Sequence, residues 1–142
     1  MTRARLTRLP DWPERLADYI ARHRAARFDW GACDCALFAA GDVQVVTGCD
    51  VLPARWSSRA DAVRLLRAAG GLVAAVDAVL PRLASPALAQ RADIVLVQAS
   101  AQRPARRWLA VCDGARAWAP AREGLQPAPL AAAVCAWGVG HG

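Results

Sequence analysis

A chain of 142 residues with 56% apolar content is long enough to bury a core of its own, yet no apolar run approaches the ~20 residues of a membrane-spanning helix. The net charge of +6 comes from 18 cations that are all arginine, with no lysine or asparagine and abundant alanine; this reads as the codon bias of a GC-rich genome and a solvated surface, so no nucleic-acid partner is expected. The basic start from Met1 to Arg8 is not followed by an apolar h-region, so no signal peptide is expected and folding should occur in a cytoplasm; five cysteines, an odd count with no C-x-x-C pair, then argue against a disulfide framework.

The elements follow in chain order. Asp11 is the expected N-cap of a first helix, with Pro13 in its first turn and Trp12, Leu16, Tyr19, Ile20 and His23 at helical spacing along one stripe. A second helix starts at Asp34 or Cys35 and ends near Thr47-Gly48, where glycine suits a C-cap; its body, Ala36 to Gly41, is apolar nearly all round and should be buried. Ser58, with Asp61 three residues on, opens a third helix that Gly70-Gly71 stops. Leu72 to Leu80 gives a short fourth, stopped by Pro81.

After Pro86 the period changes. Asp93 to Val97 is a short continuous apolar run, the pattern of a central strand. Trp108 to Cys112 and Ala115 to Ala119 flank Asp113-Gly114 and read as a hairpin, because Asp-Gly supplies the positive φ of a tight turn. Gly124 to Gln126 and Val134 to Val139 are further strands, with a turn or short helix near Leu130; Arg103 to Arg107 is expected in a loop. Helices first and antiparallel strands after make an α+β domain spanning residues 1–142. Trp12 and Trp30 are expected in the core. Trp56, beside Arg55 and before Ser57-Ser58, is the best candidate for an exposed partner-binding anchor.

Asp34-Cys35 at a helix start is the one dipeptide with a chemical reading. A thiolate is the reactive form of cysteine, and the amide dipoles of a helix N-terminus favour it; a buried structural cysteine is the competing reading. Phe28-Asp29-Trp30-Gly31 before Asp34-Cys35, Arg91 to Leu96, and Leu109 to Gly114 together resemble, in order and spacing, the NlpC-type papain-like cell-wall peptidases. That resemblance implies a papain-like fold, N-terminal helices packed on a C-terminal antiparallel sheet, with Cys35 at the nucleophile position. The family places its histidine base at the start of the second strand, where this chain has about Trp108. Phe28 stands where the family usually has a tyrosine whose hydroxyl assists the oxyanion, and Ala36-Leu37 replaces Ser-Gly. The only histidines are His23 and His141; the first reads as a packed residue and the second as part of a fraying end.

Phe28 to Ala40, Arg91 to Leu96, Leu109 to Gly114 and Ala136-Trp137-Gly138-Val139 resemble still more closely a group of short papain-like-fold proteins encoded among the tail genes of tailed phages and prophages. Cys33 here replaces that group's His, and Ala36 its second Cys. The resemblance implies a structural or adaptor role in a tail tip or baseplate, with other tail proteins as partners, a place in the virion tail and no cofactor, Cys35 being a vestige. The alternative is a peptidoglycan-cleaving cysteine endopeptidase or amidase with Cys35 as nucleophile and a base still to be found. A metal site built from Cys33, Cys35, Cys112 and Cys135 is the weakest option, because a C-x-C pair with distant partners departs from zinc spacing.

Overall fold

A computed structural model describes residues 5–141, with the backbone alone for residues 104–105. The chain is α+β: helices come first, and a five-stranded antiparallel sheet follows. Helix α1 spans Trp12–His23, α2 Cys35–Thr47, α3 Arg59–Ala69 and α4 Leu72–Asp77. Strands β1 Ile94–Ser100, β2 Arg103–Cys112, β3 Arg116–Ala121, β4 Gly124–Pro129 and β5 Ala133–Trp137 pair in the order β4-β3-β2-β1-β5. Short 3₁₀ turns lie at Pro86–Leu88 and Leu130–Ala132.

Local chemistry explains most element ends. Asp34 and Ser58 cap α2 and α3 by accepting the backbone N–H groups of Leu37 and Asp61. Gly48 and Gly70 close the same helices in the left-handed conformation that glycine adopts without strain. Asp11 departs from expectation: its side chain accepts no cap bond and pairs with Arg15 instead, at 2.8 Å. The Asp113-Gly114 turn forms as read. The Asp113 carboxylate accepts the N–H groups of Ala115 and Arg116, and Gly114 sits at φ 97°. Arg103 to Arg107, expected in a loop, extends β2 instead, with Arg107 opposite Gln98 and donating to its side chain at 3.0 Å.

Alternation in β1 and β2 divides the sheet into two buried faces. Ile94, Leu96, Leu109 and Val111 point toward the helices and pack with Leu16, Phe38, Val43 and Val46. Val95, Val97, Ala110, Ala117 and Ala136 point the other way, beneath Leu83, Ala89 and Leu130 from connecting segments. A sheet covered on both faces explains the continuous apolar run of β1. Small alanines let loops rather than a second helical layer complete the cover. Among the described residues no helix is long and apolar enough to cross a membrane.

Candidate functional site around Cys35

The loop before α2 is a tight backbone knot. Asp29 and Cys33 exchange both N–H···O bonds, at 3.0 and 2.8 Å. Gly31 has φ 79°, and a Cβ there would fall 2.8 Å from Ser57 Cα and the Trp56 carbonyl oxygen, so only glycine lets the two loops close on each other. Asp34 is the hub of this arrangement. Its carboxylate, 1% exposed, accepts from the Leu37 N–H (2.9 Å), the Gly31 N–H (3.1 Å) and the Trp56 indole Nε1 (2.6 Å). One buried side chain thus caps the helix, holds the loop and ties down a tryptophan 22 residues away.

Cys35 follows at the first position of α2. The thiol sits where a helix dipole would favour the thiolate, and the backbone N–H groups of Leu109, Ala36 and Cys35 pull in that direction. Burial outweighs them, and the neighbouring Asp34 carboxylate adds to it, so the pKa lies above the ordinary 9.0. Cys33 is shifted the same way by burial, Asp34 and Asp29. Both thiols are therefore protonated at neutral pH, the unreactive form.

Each imidazole is held by another partner, and neither is among the groups that shift the Cys35 thiol. His23 is bound through Nδ1 to the Tyr19 carbonyl at 2.9 Å, and its ring packs on Tyr19 and edge-on to Phe38, with centroids 4.3 and 5.7 Å apart. A carbonyl only accepts, so Nδ1 carries the proton. His141 does not fray as expected: its Nε2 lies 2.7 and 2.8 Å from the two carboxylate oxygens of Asp93. The strand position expected to carry the base needs correction as well. Trp108 packs with the cluster on the far face of the sheet, and Leu109 is the residue that faces α2 and approaches Cys35. A histidine at 108 would point away from the thiol.

Two tryptophans also depart from expectation. Trp56, expected to be exposed, is half-buried and bonded to Asp34, whereas Trp30, expected in the core, is 39% exposed and stacks edge-on against Phe28. Among the described residues no three His, Cys, Asp or Glu side chains gather closely enough to hold a metal ion, so Cys33, Cys35, Cys112 and Cys135 are not brought together. Asp34 is the functional-frame residue whose reach sequence reasoning missed. Its place before Cys35 marked the helix start, but nothing local pointed to Trp56.

Residues 7–139 match a family described as a domain of unknown function (DUF6950). No curated protein matches the chain.

Proposed function

The chain belongs to the DUF6950 family, and we propose that it serves as a structural or adaptor component of a tailed-phage tail tip or baseplate, built on a papain-like (NlpC-type) fold that has lost its hydrolytic site. What supports the non-catalytic half is the setting of Cys35: at a helix start, but with burial and the Asp34 carboxylate raising its pKa and no imidazole among the groups that shift it. A cysteine hydrolase needs a group that removes the thiol proton and returns it to the leaving amine. Here neither histidine is among the groups that shift the Cys35 thiol: His23 sits on the Tyr19 carbonyl and His141 on Asp93. The tail assignment draws on the sequence resemblance and on the contrast between a well-packed frame and an unarmed cysteine.

Exposed apolar side chains are where such a module would meet its neighbours. Leu88, 55% exposed on the 3₁₀ turn, and Val134, 39% exposed on β5, lie on elements packed against each other at one edge of the sheet. Replacing both with arginine should leave the unfolding transition of the isolated protein unchanged and reduce its incorporation into tail particles at least tenfold. Normal incorporation would remove this edge as the docking surface, and absence of the wild-type protein from purified virions would remove the tail role.

The hydrolase reading has its own assay. Cys35 should alkylate with iodoacetamide no faster at pH 6 than an unactivated thiol, its rate rising only as pH approaches 9 and above. Cleavage of peptidoglycan stem peptides by the purified protein, abolished by Cys35→Ala, would overturn the non-catalytic conclusion.

A further inference from the structure

Between α2, α3, α4 and the loop before α3 lies a cavity of about 170 Å³, floored by Ile94 and Leu109. No charged residue lines it. The wall from α2 is Ala36, Ala39, Ala40 and Val43; α3 supplies Leu65, Leu66 and Ala69; α4 supplies Leu72, Ala75 and Val76. Where larger side chains would fill the space, alanines from three helices leave it open. Water gains little here, because it needs two to four polar partners and the walls offer almost none.

We propose that this cavity is a binding site for a small uncharged apolar group, a six-membered ring or the end of an alkyl chain. Size supports the assignment: an apolar cavity of about 150 Å³ accepts benzene. Shape supports it as well, since the walls come from three helices and a sheet floor and form a half-open pocket rather than a flat face. Trp56, whose indole is fixed by Asp34 at 2.6 Å, forms part of the rim and reports on occupancy. The site does not depend on the tail assignment, because its chemistry is set by the lining alone.

The test measures the thermal unfolding midpoint with benzene, a free hydrocarbon, and with octanoate, an acyl chain bearing a charge that must stay outside. At about ten times its dissociation constant a probe that binds only the folded state should raise the midpoint by roughly 4 °C. A shift with benzene alone identifies a closed ring-sized site, and a shift with octanoate identifies one open to a chain end; either supports the proposal. Ala75→Phe should fill the cavity and abolish the shift, and Ala69→Phe, at the exposed end of α3 that lines the same pocket, is the second filling variant should the first fail to fold. The proposal falls if neither probe moves the wild-type midpoint, or if both filled variants respond as the wild type does. Loss of tail incorporation by the filled variants, with no response of the wild type to either probe, would make the cavity a socket for a partner's side chain and would equally overturn it.

Discussion

Asp42 and Asp93 are both 0% exposed, close enough to influence each other's charge, and opposite in their surroundings. Asp93, at the head of β1, receives the Arg8 guanidinium at 3.1 Å, His141 Nε2 at 2.7 Å, the Val139 N–H at 2.9 Å and the Gln90 N–H at 2.8 Å. It ties the segment before α1 and the C-terminal end of the described chain to the sheet. Asp42, inside α2, has no hydrogen-bond partner for either oxygen among the described residues. Burial pushes its pKa well above the ordinary 3.8, Asp93 pushes further, and Arg8 offsets only part. Burying a carboxyl is tolerable in two ways: as an anion surrounded by donors, or as a neutral acid. Asp93 is surrounded by donors, Asp42 has none among the described residues, and the same arginine lies near both.

The largest expected effect breaks the satisfied member. Asp93→Ala leaves Arg8, which is only 12% exposed, without its carboxylate partner, together with the buried N–H of Val139, the part-buried N–H of Gln90 and His141. Stability measured by urea unfolding should fall by about 3–5 kcal/mol. A loss under 1 kcal/mol would mean that the four donors find water or other acceptors.

Next comes the unsatisfied member. Folded Asp42 keeps its proton at pH values where the unfolded chain has lost it. Its contribution is therefore fully present below pH 3.8 and is lost as pH rises from there through the raised folded pKa, at up to about 1.4 kcal/mol per pH unit. Asp11, Asp61 and Asp113 are shifted downward, so their linkage acts below 3.8, outside this window. Asp42→Asn should be more stable than wild type at pH 7 by about 1–3 kcal/mol. The difference between the two proteins should shrink toward pH 4, and a difference independent of pH would show that Asp42 is ionised in the fold.

The smallest effect isolates burial as the cause. Asp18 and Arg22 form an exposed pair at 2.8 Å on α1, one turn apart. Arg22→Ala should cost no more than about 0.5 kcal/mol. A cost near that of Asp93→Ala would break the contrast drawn between buried and solvated carboxylates.

The α+β order, the caps at Asp34, Ser58, Gly48 and Gly70 and the Asp113-Gly114 hairpin were legible because each rests on contacts within a few residues. The position of Cys35 at a helix start was legible for the same reason. Its chemical state was not. The pKa of that thiol depends on how deeply α2 is set against β2, and on Leu109 rather than Trp108 facing it. Strand parity decides that facing, and a one-residue shift in the register reverses it.

His141 was read as a fraying end because its partner Asp93 lies 48 residues away. Trp56 was read as exposed because Asp34 lies 22 away. Asp42 carried no signal at all in an apolar helix. By itself, the sequence determined the four helices, the core of the strands and that a cysteine begins the buried helix, since capping, periodicity and turn geometry are local; it did not determine the extension of β2 through Arg103 to Arg107. Tertiary structure alone decided which carboxylates are paired, which thiol is protonated and where the helices leave a space. Burial and hydrogen bonding are set by residues that meet only when the chain has folded.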